Sequence, residues 1–530
     1  MPVGKPRFAR WREREGEREC RREQGHEQNH GQDPHRSPEQ DRSPGQEHGQ
    51  GRVRHQAPDQ DQAPDQDQER HQGQERHQGQ RQGRGARRGW RIAAVVAVAT
   101  GLTATSVALG TSGDTAPSPA GAPVLAAAVP VERLAAGDLT QGIEGLQKHL
   151  KARPEDATGW ATLGAAYVEQ ARTSGDPMRY PQAERAFERS LALRPAADND
   201  AALAGRAALA AARHDFRTAL TEADRALRVN PYSETALSSR VDALVELGRY
   251  DEAWSAVRLA DRRRPGIPVF TRFAYVLELR GDVTKAREVL LRALDSAATP
   301  ADTAYVATAL GQLAWSQGQY ARALEHYATA LRADPRYVPA LEGRGRTYAA
   351  RGETKRALDD LEEVVRRYPL PGQLAALGEL REAAGRPERA AEQYALVGAW
   401  TKLADASGVA TDLESALIEA DHGDAGDALT AARAEFARRE SVHTADALAW
   451  ALHANGKDEE ALIYAKKATA ASPGYRNASF LFHRGMIERA LGDDDAARRD
   501  LRAALELNPG FSPAGAREAR SALVELEEKR

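Results

Sequence analysis

Hydrophobic and polar positions along residues 304–335 follow the spacing of two short helices separated by a turn. Ala323, Tyr327 and Ala330 succeed one another at steps of four and three residues, which places them on one helical face. Gly318 suits the left-handed position that ends a first helix, and Pro335 can stop the second. The pattern predicts a helical hairpin with an apolar stripe that it cannot bury alone.

The same turn recurs along most of the chain. A glycine stands at steps of 33 to 38 residues, and an alanine lies five residues after each of these glycines. Recurrence of a helical hairpin near 34 residues predicts a stacked repeat array, in which each unit is covered by its neighbours. The turn glycines are Gly248, Gly281, Gly318, Gly352, Gly385, Gly423, Gly456 and Gly492.

This pattern resembles the tetratricopeptide-repeat family, whose units read W-x2-L-G-x2-Y, then A-x3-F and a closing proline. The resemblance covers roughly Ala135 to Pro509 and is to bacterial members with an N-terminal membrane anchor or signal segment. It implies an all-α, right-handed solenoid of about ten helix hairpins. The best-matching unit comprises Trp160, Leu163-Gly164, Tyr167, Ala183, Phe187 and Pro195.

Some units depart from the family pattern. His214 occupies a turn position where glycine belongs, and about seven extra residues fall within 172–181. Such an insertion is predicted to form a loop, which is either tolerated variation or a partner contact. The step from Gly385 to Gly423 is longer than the others, and residues 398–411 are predicted to be a linker or a distorted repeat.

Residues 1–91 differ in composition from the rest of the chain. Arg, Gln, Glu, His, Gly and Pro dominate, and large apolar residues such as Phe8, Trp11 and Trp90 are few. Burial of so little apolar surface cannot offset the entropy of ordering the segment, so we expect disorder.

Residues 92–110 are uncharged and directly follow Arg87, Arg88 and Arg91. The 18 residues Ile92–Leu109 would measure about 27 Å as a helix, close to the thickness of a bilayer core. The segment is either a retained single-pass anchor, with a cytoplasmic N-terminus and extracytoplasmic repeats, or the core of a cleaved signal peptide. Cleavage would give a secreted protein.

These features divide the chain into six parts. A disordered cytoplasmic tail at 1–91 precedes the transmembrane helix or signal core at 92–110 and an Ala/Pro linker at 111–130. The first part of the array is expected at 131–397, the linker or distorted repeat at 398–411, and the second part at 412–530. Gly137–Pro154 and Pro513–Arg530 are predicted to be capping helices.

Charge and residue types limit the chemistry. The chain carries a net charge of −3, with +3 in residues 1–91 and −6 in the remainder, which argues against a nucleic-acid partner. The single cysteine, Cys20, excludes an intrachain disulfide framework and a multi-cysteine metal site. Because no catalytic motif or ligand spacing is present, we predict no enzyme activity, no cofactor and no metal.

In the family that the chain resembles, partners bind in the concave groove lined by the first helices of the hairpins. Aromatic and arginine side chains commonly supply such binding surfaces, although several of these could instead pack between helices. Carrying the groove over to this sequence gives the candidates Tyr275, Glu278, Tyr305, Gln312, Trp315, Arg346, Trp450, His453, Phe482, Met486 and Arg489.

Two hypotheses for function follow from these observations. The first is a membrane-tethered scaffold that presents its groove to a protein or peptide outside the cytoplasm. The second is a secreted, chaperone-like assembly factor or carrier released by signal cleavage. The partner's identity and the oligomeric state are not encoded in any local motif of a single solenoid sequence.

Overall fold

The computed structural model describes residues 139–529, except 471 and 473, and all its regular elements over that range are helices. This described range contains 22 α-helices, arranged as ten antiparallel pairs between two single helices, α1 (Leu139–Ala152) and α22 (Gly515–Glu528). The described part is therefore an all-helical solenoid, as the sequence predicts. The expected tail at 1–91, transmembrane or signal segment at 92–110 and linker at 111–130 lie outside the described residues.

Each pair consists of a first and a second helix. The first helices are α2 (Ala157–Ser174), α4 (Asp200–Ala212), α6 (Glu234–Glu246), α8 (Ile267–Leu279), α10 (Pro300–Ser316), α12 (Val338–Ala350), α14 (Pro371–Ala383), α16 (Asp412–His422), α18 (Val442–Ala454) and α20 (Ala478–Ala490). The second helices are α3 (Tyr180–Leu193), α5 (Phe216–Val229), α7 (Tyr250–Arg263), α9 (Val283–Asp295), α11 (Tyr320–Ala333), α13 (Thr354–Arg367), α15 (Pro387–Ala406), α17 (Ala425–Arg438), α19 (Asp458–Ala468) and α21 (Asp494–Leu507).

The turns within the pairs use the left-handed backbone conformation. Gly318 has a φ of 67°, and six of the other recurring glycines share this conformation. His214 adopts it as well, with a φ of 61°, so a histidine does occupy the glycine position in that unit. Gly423 is the exception among the predicted turns, because its φ is −128° and the Asp424 side chain caps the next helix directly.

Close approach between helices explains the small residues inside the pairs. The ring of Phe187 lies between Gly164 and Gly205, and a Cβ on Gly164 would come within 2.6 Å of it. Tyr327 lies in the same way between Gly311 and Gly343. Each of these two rings of a second helix thus fills the space that glycines of two consecutive first helices leave open.

The two single helices close the ends of the array. Ile143 and Leu150 of α1 are buried against the first pair, and Ala516, Ala519 and Leu526 of α22 are buried against the last. Their other faces carry exposed polar residues, as terminal units of a solenoid require.

Two elements depart from the regular repeat. The residues inserted between α2 and α3 form a short 3₁₀ helix, Pro177–Arg179, and α15 is 20 residues long where the other second helices have 11 to 14. Residues 398–406 belong to this extended helix. The two departures meet, because Ser407 Oγ lies 3.3 Å from the sulfur of Met178.

The predicted single-pass membrane location is not supported and is withdrawn. None of the helices between residues 139 and 529 combines the length and the apolar character needed to span a bilayer. The segment at 92–110, on which that prediction depended, lies outside the described residues. The secreted alternative stays open.

Candidate binding surface

Polar and aromatic side chains join consecutive first helices along the array. We call this row of contacts the first-helix ladder. Its rungs are Asp242–Arg272, Thr271–Tyr305, Glu278–Ser316, Trp315–Arg346, Glu342–Gln373, Asp421–Trp450 and Asp446–His483. Five of the eleven predicted groove residues belong to it: Glu278, Tyr305, Trp315, Arg346 and Trp450.

The first rungs surround a narrow cavity between α6, α8 and α10. Arg272 donates two hydrogen bonds to the Asp242 carboxylate, at 2.8 and 2.7 Å, and both side chains are buried. Burial raises the pKa of Asp242, and the opposing charge of Arg272 lowers it in part. Tyr275 and Tyr305 complete the wall, and the space left inside holds about one water molecule. The cavity is therefore too small for an organic ligand.

Glu278 lies beside this cavity and has one hydrogen-bond donor. The Ser316 hydroxyl group donates to Glu278 Oε1 at 3.1 Å. Burial raises the pKa of Glu278 to about 7, and the hydrogen bond from Ser316 offsets only part of that rise. The carboxyl group of Glu278 is thus poised to change its charge near neutral pH.

In the Trp315 rung, the indole N–H donor is unused. Trp315 is 9% exposed, and its Nε1–H has no hydrogen-bond acceptor among the described residues. The guanidinium carbon of Arg346 lies 5.8 Å from the centre of the indole ring, and Arg346 also pairs with Glu342 at 3.8 Å. Gln312 stands one helical turn from Trp315 and is half-buried. We call Gln312, Trp315 and Arg346 the tryptophan patch.

The five C-terminal candidates gather around Trp450. Its indole N–H donates to Asp421 at 2.6 Å, and its ring stacks on His483 with 4.3 Å between centroids. Phe482 and Met486 are buried in the same cluster, His453 pairs with Asp458, and Arg489 pairs with Glu525 of α22. Trp450 is 1% exposed and Phe482 is fully buried, so neither can contact a partner in this arrangement.

The structure therefore brings the predicted residues together in two groups. Tyr275, Glu278 and Tyr305 adjoin the tryptophan patch on α8 to α12, and the other five, which include Trp450, lie on α18 and α20. Tyr305, Trp315, Trp450, Phe482 and Met486 are buried, and the remaining six are half-buried. Their role in binding stays a prediction.

A second set of contacts was not predicted from the sequence. Residues 190 to 196 positions apart touch repeatedly, because the array winds back onto itself. We call this line of contacts the seam. Along it, the turns at Gly175, His214, Gly248, Gly281 and Gly318 face residues near Leu370, Ala410, Glu440, Gly474 and Leu507.

Hydrogen bonds at the seam join side chains of one winding to the backbone of the other. The Val442 N–H donates to the Tyr250 hydroxyl at 2.8 Å, and the Gly510 N–H donates to the Tyr320 hydroxyl at 2.7 Å. Ser472 donates to the carbonyl of Leu279 at 2.8 Å. The sequence offered one signal for these contacts, a tyrosine two residues after a turn glycine. It did not predict the seam, because packing of Tyr320 across its own turn explained the same pattern.

A buried charge cluster also crosses the seam. Arg439 pairs with Glu246 of the earlier winding and with Glu435 of its own, and all three side chains are at most 7% exposed. Burial raises the pKa of Glu246, and the charge of Arg439 opposes that rise. Nearby, Tyr275 Oη lies 3.0 Å from His443 Nε2. Tyr275, which lines the cavity beside the first rungs of the ladder, thus also contacts the later winding.

Comparison with known proteins identifies the repeats. Residues 203–268, 308–370 and 478–511 match models of the tetratricopeptide repeat. The chain thus contains tetratricopeptide repeats, as the sequence pattern predicted. No curated protein matches the chain.

Solved structures with similar folds include several tetratricopeptide-repeat proteins. One from Parabacteroides merdae is 21% identical, covers 49% of this chain and 98% of its own, and has a TM-score of 0.29. A thermophilic protein of the family from Thermus thermophilus is 25% identical over 36% of this chain and 97% of its own, with a TM-score of 0.31. YrrB, a TPR protein with an unusual peptide-binding site, is 22% identical over 34% and 92%, with a TM-score of 0.24.

Proposed function

We propose that this protein is a non-enzymatic scaffold that binds a protein or peptide partner through the first helices of its tetratricopeptide-repeat array. The tryptophan patch is the centre of the proposed binding surface. In the same proposal the array is right-handed, as in the family, and residues 398–411 mark the division between its two parts.

The unused donor of Trp315 is the observation that carries the proposal. The Trp315 N–H is buried and has no acceptor among the described residues, which costs free energy. A partner that displaces the side chains covering it and supplies an acceptor would recover that cost. The Arg346 guanidinium group lies over the same ring and adds positive charge. A peptide carbonyl or carboxylate group fits the indole donor and the neighbouring positive charge. Aromatic and arginine side chains of this kind are the usual centres of binding energy in protein interfaces.

The test is selection from a phage library of random linear peptides on the full-length protein. Affinities of the selected peptides are then compared between wild type and Trp315→Phe, which keeps an aromatic ring but removes the N–H. We expect roughly tenfold weaker binding, because about 1.4 kcal/mol is lost with one buried hydrogen bond.

Trp160→Phe is the matched control. The indole of Trp160 also donates a hydrogen bond, at 3.0 Å, but its acceptor is the carbonyl of Pro154 at the N-terminal end of the array. Peptide affinity should be unchanged in this variant. Equal affinities in wild type and Trp315→Phe, or failure to select any peptide on wild type, would refute the proposal.

A further inference from the structure

We infer that the seam is a latch: the two windings of the array separate reversibly while the helix pairs stay folded, and this separation uncovers the first-helix ladder. The inference rests on the proposed function for its biological meaning, since the ladder holds the proposed binding surface. Its structural content is independent of any partner.

The chemistry of the seam differs from that of the pairs. Within a pair, large rings and alanines fit together, as Phe187 and Tyr327 do with their glycines. Across the seam, hydrogen bonds to loop backbone and the Glu246–Arg439 pair run beside an apolar contact, to which the later winding contributes Val442, Ala445, Ala468 and Phe480. When the windings separate, the polar groups of the seam form hydrogen bonds to water. These bonds offset much of the free energy lost with the hydrogen bonds across the seam.

The topology makes such a separation local. In a solenoid each unit is stabilised by its immediate neighbours, so contacts between residues about 190 positions apart are additional to those that hold the pairs together. Small changes of angle between successive pairs add up along the array. Breaking the seam therefore requires no helix pair to unfold, which is the condition for opening below the free energy of global unfolding.

Three of the five turns that form the seam are followed two residues later by an aromatic residue, whereas those at Gly175 and Gly281 are followed by Pro177 and Val283. Phe216, Tyr250 and Tyr320 stand two residues after the turns at His214, Gly248 and Gly318. The corresponding positions after Gly352, Gly456 and Gly492 are Thr354, Asp458 and Asp494, and nothing lies within 4 Å of a Cβ built on these three glycines. The aromatic residues that help form the seam thus belong to the turns of the earlier winding. The polar turns of the later winding at Gly352, Gly456 and Gly492 make no such contact.

Seam and ladder are connected through shared helices. Asn508 donates from its side chain to the carbonyl of Trp315 at 3.0 Å, and Tyr275 contacts His443. Separation of the windings would remove both contacts. The partner-binding face would then gain exposed aromatic surface in the region of the tryptophan patch.

Thiol labelling tests the latch directly. In the full-length chain with Cys20→Ser, a cysteine is placed at Val442, which is 3% exposed at the seam, or at Val289, which is equally buried inside the α8–α9 pair. We expect labelling at position 442 to be at least about 100-fold faster in native conditions, and less dependent on urea, because it requires only the latch to open.

A pair of glycine substitutions supplies the control. A side chain on Gly248 would meet the carbonyl group of Glu440 across the seam, whereas one on Gly456 meets nothing within 4 Å, and both glycines are left-handed, with φ values of 72° and 68°. Gly248→Arg should speed labelling at Val442→Cys by about tenfold relative to Gly456→Arg. Hydrogen exchange of the Val442 and Gly510 amides gives the same comparison in the unmodified protein.

Equal labelling rates at positions 442 and 289 with equal urea dependence, or equal effects of Gly248→Arg and Gly456→Arg, would overturn the latch. None of these measurements involves a peptide. A failed peptide selection would therefore refute the proposed function and leave the latch standing, whereas failed labelling would do the reverse.

Discussion

The carbonyl oxygen of Leu507 lies 2.8 Å from the position that a Cβ atom on Gly318 would occupy, although about 190 residues separate the two in sequence. Gly352 has a similar left-handed φ, 76° against 67°, but nothing lies within 4 Å of its Cβ position. Substitutions at these two glycines can therefore distinguish the free-energy cost of a side chain at positive φ from the cost of a collision across the seam.

Gly318→Ala should destabilise the protein more than Gly352→Ala. Both substitutions place a side chain at positive φ, at a cost of roughly 1 kcal/mol. Only Gly318→Ala adds a collision across the seam, which we expect to cost a further 1–3 kcal/mol or so. Urea unfolding monitored by circular dichroism measures the difference. Indistinguishable midpoints would show that the seam does not form in solution.

Gly205→Ala should overpack the contact around Phe187. A Cβ at position 205 would meet the ring that already fills the space beside Gly164, so we expect a loss of about 1–3 kcal/mol. Gly145→Ala is the control, because its Cβ meets nothing within 4 Å and alanine gains about 0.5–1 kcal/mol over glycine inside a helix. Thermal unfolding should shift in opposite directions for the two variants. A shift in the same direction would contradict the predicted packing.

Arg272→Met should destabilise the array strongly, because it leaves the Asp242 carboxylate buried without its partner. Side-chain exposures of 6% and 8% place the pair among buried ion pairs, for which removal of one member costs about 3–5 kcal/mol. The double variant Arg272→Met/Asp242→Leu should recover most of this loss, since no charge then remains buried. Urea unfolding of wild type, the single variant and the double variant measures these differences in stability. A double variant no more stable than the single one would contradict this account of the pair.

Glu278→Gln should become more stable relative to wild type as pH rises from 5 to 8. The pKa of Glu278 is raised from 4.5 to about 7 by burial, so between these values the folded protein holds a proton that the unfolded chain releases. Wild-type stability therefore falls as pH rises through this range, by on the order of 1 kcal/mol, and glutamine removes the effect.

Glu252→Gln is the control for this pH dependence. The side chain of Glu252 is exposed and the hydrogen bond from Arg249 lowers its pKa, so the folded and the unfolded chain both hold it ionised over most of pH 5 to 8 and it adds little pH dependence in this range. The measurement is thermal unfolding of wild type, Glu278→Gln and Glu252→Gln at four pH values between 5 and 8. A difference between Glu278→Gln and wild type that stays constant over this range would contradict the assigned protonation of Glu278.

Local spacing allowed much of the fold to be predicted. The turn at Gly318, the left-handed role of His214 and the small residues facing Tyr327 all depend on neighbours within one or two units. Gly423 does lie at the predicted turn, but without the left-handed conformation of the other turn glycines, and Asp424 supplies the cap of the next helix. Periodicity alone does not distinguish these two ways of ending a helix.

The seam could not be predicted in the same way. Whether Tyr320 reaches Asn508 depends on small rotations summed over more than five helix pairs, and no single unit encodes that sum. The same limit applies to the binding surface. Trp315 and Trp450 are alike in sequence context, but Asp421 satisfies the N–H of Trp450 and nothing described satisfies that of Trp315. Only the packed arrangement separates a structural tryptophan from a candidate contact.

The distance between the two windings tests the account most directly. In a Cys20→Ser background, spin labels at Asp251 and Glu440 would lie on exposed positions beside the contact between Gly248 and Glu440. Double electron–electron resonance should give a narrow distribution centred on the order of 20 Å, since Asp251 is only three Cα–Cα steps from Gly248. A distribution centred beyond about 40 Å would mean that the windings do not touch, and the seam and latch would both fall.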